Sequence, residues 1–135
     1  MAKIVHTDLI TDNPKATADF VGKMFGWYVK KWEDAGEEFY WWNYIDGTEK
    51  GGVGGIGQAG KNGPHIDVYV EVEDINATIE KAKSLGATEV RGETEIGEGL
   101  GYFAAIQIPG GVKLGLCAKE KSKIPAQKQA VSQQK

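Results

Sequence analysis

Near its start the sequence reads "KIVHTDLI", which sets His6 and Asp8 two residues apart. An imidazole with an ordinary pKa near ~6.5 can take up and return protons around neutrality. On an alternating strand, residues two apart share a face. Two readings of His6 stand side by side. It is an inner-strand histidine satisfied by Asp8 or Asp67 and without a catalytic role, or it is a ligand-binding or acid–base group. In "HIDVYVEV", Asp67, Tyr69 and Glu71 share the face opposite Val68, Val70 and Val72. A polar face on a strand whose other face is core either meets solvent or lines a cavity.

The stretch "EFYWWNYI" is rich in rings and splits by parity into Phe39, Trp41, Asn43 and Ile45 against Tyr40, Trp42 and Tyr44. The second set, with polar tips on apolar bodies, suits the wall of a pocket that stacks flat ligands. The first, more apolar set is then expected on the helix side. Core or dimer interface is the alternative for both sets. Tyr102 is a further candidate for the same pocket. Cys117 has nothing nearby in sequence to lower its pKa, so an inert thiol is expected. "GGVGGIG" (51–57) lacks the Lys-Ser/Thr pair of a phosphate loop and does not run into a helix. It reads as a place where the sheet bends or a ligand approaches the backbone.

The elements that must carry these residues come in two rounds. Strand periodicity covers 3–10, and then "TDNPKATADFVGKMFGW" reads as a helix. Asp12 or Asn13 caps it, Pro14 sits in its first turn and Gly26 closes it. Strands follow over 27–33, 38–45 (with a hairpin signal "DG" at 46–47) and 51–57. The second round has a strand over 65–72, an Asp74-capped helix over 73–86, and strands over 87–93, 100–108 and 112–118. Gly26 and Gly86 end equivalent helices 60 positions apart. The order is βαβββ twice, in modules 3–57 and 65–118 of one domain, 1–118. The expected fold is α+β: an eight-stranded, cup-shaped mixed sheet with the helices outside. The cup is the default binding site.

The totals agree with one ordinary domain. Of 135 residues, 41% are hydrophobic and 26% charged. No apolar run approaches the ~20 residues of a membrane span. The first residues hold no apolar signal core, and a single cysteine excludes an internal disulfide, so a cytoplasmic protein is expected. Formal net charge is −3. The Lys/Gln-rich segment 119–135, with five lysines against one glutamate, carries +4 and leaves the body at −7. An acidic body without a basic stripe argues against a nucleic-acid partner. The segment 119–135 is expected to be a flexible tail.

"DNPKATADFVGKMFGW", "VEVEDINATIEKAKSLGA" and "GYFAAIQIPGGVKLGL" together resemble the vicinal oxygen chelate superfamily, which holds glyoxalase I, bleomycin-resistance proteins, extradiol dioxygenases and methylmalonyl-CoA epimerases. The chain is most similar to its glyoxalase-related branch without assigned substrates. For metal-dependent members the resemblance implies His or Gln on the first strand, Glu near the end of the fourth, His on the fifth and Glu on the eighth. His6 matches the first. The second falls in "GGVGGIG", which has no acid. The third falls near Asp67, and the fourth on Gly115. A catalytic metal in such a site needs at least three protein ligands. His6 and Asp67 are the two on offer.

The expected function is therefore binding of a small, partly apolar molecule in the cup, without a catalytic metal or other cofactor. His6, Asp8, Tyr40, Trp42, Tyr44, Asp67, Tyr69 and Tyr102 are the candidate ligand-binding residues. The alternative is a lyase, isomerase or dioxygenase that holds Zn, Ni, Mn or Fe through His6 and Asp67 as its metal ligands. The sequence leaves open whether it is an enzyme. The resemblance implies a homodimer.

Overall fold

The computed structural model describes residues 2–45 and 53–127. The hairpin signal at 46–47 lies outside the described residues. Contacts divide the chain into two compact units, residues 4–68, and residues 69–127 with residues 2–3.

The first unit contains β1 (Lys3–Thr11), α1 (Pro14–Phe25), β2 (Tyr28–Lys31), β3 (Phe39–Asn43) and β4 (Gly54–Gln58). β2 pairs antiparallel with β3, β3 antiparallel with β4, and β4 parallel with β1. Helix α1 starts where the Asn13 side chain accepts the Ala16 N–H at 3.1 Å, which resolves the choice of cap. It ends at Gly26, whose φ of +71° needs no β-carbon and whose N–H donates to Gly22 O. Ala18 and Val21 of α1 bury against Trp42 and Ile56, with Leu9, Val29, Tyr40 and Trp27 around them.

The second βαβββ round contains β5 (His65–Glu71), α2 (Ile75–Ser84), β6 (Thr88–Glu95), β7 (Tyr102–Gln107) and β8 (Lys113–Ala118). Within the second unit β5 pairs parallel with β8, β8 antiparallel with β7, and β7 antiparallel with β6. Ile75 and Ile79 of α2 pack on Ala104, Ile106, Leu116 and Ala118, and Val70 and Val72 join them. Val70 and Val72 thus take the inward face expected of them. The chain is thus an α+β fold of two βαβββ modules, with eight strands in parallel and antiparallel pairs and two helices among the described residues.

Segment 119–127 departs from the flexible-tail expectation as far as Ile124. The unpaired N–H groups of a helix start need acceptors, and here the exchange runs both ways. Asn76 N–H donates to Ser122 Oγ at 2.8 Å, and Asn76 Nδ2 to Ile124 O at 2.7 Å. Ser122 N–H donates to Glu93 at 2.7 Å. Asp74 accepts from Ala77 N–H at 2.9 Å with one oxygen and from Lys123 N–H at 2.7 Å with the other. These donors hold the Asp74 carboxyl below its usual range, the Ala77 N–H most strongly, against an opposing effect of burial.

Two outcomes follow. Gly54 has no room for a β-carbon, which would overlap both Thr7 O and the Trp42 indole nitrogen. Gly54→Ala should therefore lose about 2–3 kcal/mol in urea unfolding. For Asp74, the folded carboxyl binds its proton less readily than the unfolded one. Its contribution is complete above the ordinary pKa of 3.8 and fades as the pH falls through the lowered folded value. Amide exchange at Lys123 and Ile124 should accelerate in that acid window in the native protein. In Asp74→Ala it should be fast at every pH.

Candidate functional site

On β1 the alternation that buries Leu9 against α1 turns His6, Asp8 and Ile10 to the other face, which α1 does not cover. His6 Nε2 lies 2.6 Å from Asp8 Oδ1, and the two side chains are 22% and 12% exposed. A carboxylate only accepts, so Nε2 carries the proton and donates. In the neutral ring Nδ1 is then the basic nitrogen. The same face receives Phe39 and Trp41 from β3 and Trp32 from the start of the β2–β3 connection. His6 meets Trp41 edge-on, with ring centres 6.0 Å apart. Trp32 lies 4.9 Å from Trp41 and 5.8 Å from Phe39. Beneath them Gly55 pairs with Asp8 across the parallel ladder and with Trp41 across the antiparallel one. A β-carbon on Gly55 would come within 2.6 Å of Asp8 Oδ1 and overlap the Phe39 ring. The missing side chain is what seats the carboxylate and the ring together.

The aromatic strand therefore faces the reverse of the expected way. Trp42 is 4% exposed in the α1-side core and stacks on Trp27 at 4.1 Å. Tyr40 packs against the same cluster, and its hydroxyl donates to Glu38 at 2.6 Å. That carboxylate pushes the phenol up to about 12. Tyr44 is 63% exposed and meets Trp27 and Trp42 edge-on. The reason is steric. Gly54 leaves a slot under the Trp42 indole, and Trp27 supplies a flat partner, so the indole is the ring that fits beneath the helix. Trp42 Nε1 is buried without an acceptor among the described residues, a cost that packing offsets.

In the second module, Asp67 and Tyr69 lie on the helix-free face of β5, as expected. Asp67 accepts from His65 Nε2 at 3.3 Å. Tyr69 pairs with Gly115, and its ring lies where a Gly115 β-carbon would be. Tyr69 meets Phe103 edge-on at 6.4 Å, and the Arg91 guanidinium sits 5.1 Å from the Phe103 centre. Tyr102 is corrected: it packs on the α2-side cluster. Cys117 is half-buried, and its thiol is pushed up to about 11, first by burial and then by Glu71. Sequence reasoning missed Trp32, Phe39, Trp41, Arg91 and Phe103. Parity grouped Phe39 with Trp41 correctly, and only the sign of the face was hidden.

A fold of paired βαβββ modules carrying a His–Asp pair and rings on a helix-free strand face defines a class. The chain belongs to the Glyoxalase/Bleomycin resistance protein/Dioxygenase superfamily, which it matches over residues 3–116. Among solved structures it is similar to a hypothetical protein from Bacillus halodurans C-125, at 15% identity and TM-score 0.62, covering 92% of this chain and 99% of that one. It is also similar to methylmalonyl-CoA epimerase from Mycobacterium tuberculosis, at 16% identity and TM-score 0.57, covering 85% and 86%. The Mn(II)-bound glyoxalase from Novosphingobium aromaticivorans matches at 13% identity and TM-score 0.65, covering 92% of this chain and 42% of that one. At these identities the likeness is one of fold. No curated protein matches the chain.

The metal that some relatives hold does not fit the residues here. Among the described residues no three His, Cys, Asp or Glu side chains converge on one point. Gly115 and the glycines of β4 stand where the resemblance implies glutamates. Any side chain at Gly115 would collide with the Tyr69 ring, and at Gly55 with Phe39 and Asp8. His6 Nε2 is already committed to Asp8.

The Cys117 thiol gives a direct check. A rise from 9.0 to about 11 makes its thiolate scarce at pH 8, so iodoacetamide should alkylate it at least about tenfold more slowly than free cysteine. The neutral thiol is favoured by folding, so its share of stability is whole below pH 9 and is lost as the pH rises towards 11.

Proposed function

We propose that the protein binds a small, partly apolar molecule on the helix-free face of its first unit, and that binding uses no metal ion. The observation that carries this reading is the His6–Asp8 pair, largely buried and set beside the half-buried rings of Trp41, Phe39 and Trp32. Such a constellation offers a flat apolar wall and one oriented donor–acceptor, the usual make-up of a small-molecule site. Asp67 of the same unit is a second polar group proposed to take part. Asp8 fixes the orientation of the His6 ring beside these rings, where the imidazole is proposed to meet a polar group of the ligand.

The same pair favours a second reading, metal-free proton transfer. His6 would be the base, and Asp8 would stabilise the imidazolium that forms. A metal-dependent lyase, isomerase or dioxygenase would need the two carboxylates for which Gly115 and Gly55 leave no room. A homodimer in the cytoplasm remains part of the proposal on family resemblance.

All four tryptophans lie in the first unit, Trp32 and Trp41 on this face and Trp27 and Trp42 in the α1-side core, so part of the intrinsic emission reports on this face. Titration with a panel of uncharged aromatic compounds should quench it for at least one member. Trp41→Ala should weaken that binding by about tenfold or more, and His6→Gln should weaken it for polar members only. Equal affinity in wild type and Trp41→Ala, or no response across the panel at millimolar concentration, would refute the proposal.

A further inference from the structure

The second unit presents its own helix-free face, and on it stands the only arginine of the chain, Arg91 on β6. Two contacts fix this side chain, and a third holds its partner Thr94. Its guanidinium lies over Phe103 at 5.1 Å. Its Nε donates to Thr94 Oγ1 at 3.2 Å, and Thr94 Oγ1 donates to Gly92 O at 2.9 Å. Phe103 is held in turn by Tyr69, and Tyr69 is seated on the bare Cα of Gly115. The chain Gly115–Tyr69–Phe103–Arg91 is thus a preset platform of two rings ending in a cation.

Among the described residues the terminal nitrogens of Arg91 have no hydrogen-bond partner. No carboxylate lies within ion-pair distance of them among the described residues, although the body carries an excess of acidic groups. An oriented guanidinium with its outer edge unpaired is a fork for two oxygens in one plane. The rings beside it offer an apolar, edge-and-face surface to a flat body.

We propose that this platform binds a small planar carboxylic acid. Its two oxygens lie on the terminal nitrogens of Arg91, and its ring or conjugated body lies against Phe103 and Tyr69. The site is separate from the His6 face in its residues and does not depend on the reading given for that face.

The test uses the full chain, isotope-labelled, titrated with benzoate, benzamide and acetate and followed by amide chemical shifts. Benzamide keeps the ring and loses the charge; acetate keeps the charge and loses the ring. Benzoate should move the signals of Arg91, Thr94 and Phe103 and bind at least about tenfold tighter than either analogue, as a charge-assisted pair implies. Arg91→Gln should bring benzoate down to the level of benzamide, and Phe103→Leu should bring it towards acetate. Arg91→Lys, which keeps the charge without the fork, should fall between. Equal binding of benzoate and benzamide would overturn the proposal. So would a preference for benzoate that survives Arg91→Gln, or shifts that leave β6 and β7 untouched.

Discussion

Missing β-carbons govern this structure. Gly54 opens the slot that lets the Trp42 indole lie under α1. Gly55 lets Asp8 and Phe39 occupy adjoining space on the opposite face, and Gly115 receives the Tyr69 ring. Each is a point where backbone and a neighbouring side chain approach closer than any other residue allows. In a sheet the side-chain period is two, so fixing one ring beneath a helix fixes the orientation of the whole strand. Trp42 does this for β3. Once it is inside, Trp41 and Phe39 must be outside, beside His6.

The helix-covered faces are conventional cores. Ile56, Ile75 and Ala104 are fully buried, and the helices that cover them are short and capped by Asn13 and Asp74. The helix-free faces carry what the cores do not, a His–Asp pair and one arginine, each set beside aromatic rings. His6 and Asp8 are largely buried there, whereas Arg91 is exposed. The glycines tie the two kinds of face together. The same absence of side chains that packs one face leaves the other without a carboxylate at Gly55 and Gly115.

Much of the fold was legible. The repeat, both caps, the helix ends and the strand alternation on β5 follow from periodicity and from residues with one strong local preference. The orientation of β3 was not, because Tyr40, Trp42 and Tyr44 are as amphipathic as Phe39 and Trp41 are apolar, and hydrophobicity pointed the wrong way. What decided it was a stacked partner, Trp27, and a slot at Gly54, both contacts distant in sequence. Tyr102 was misplaced for the same reason. The docking of 122–124 on α2 was hidden too, since no apolar pattern marks it. It rests on hydrogen bonds from a helix start some 46 to 50 residues earlier. Of the site, His6 and Asp8 were readable as a pair, and the rings that frame them were not.

On the function proposed above, these faces take an organic molecule without a metal ion. Elemental analysis tests it most directly, on the full chain incubated with Mn, Ni, Zn or Fe(II) and freed of excess ion, beside His6→Ala. The account predicts metal far below one ion per chain, equal in both proteins. Near-stoichiometric metal in the wild type, lost in His6→Ala, would contradict it.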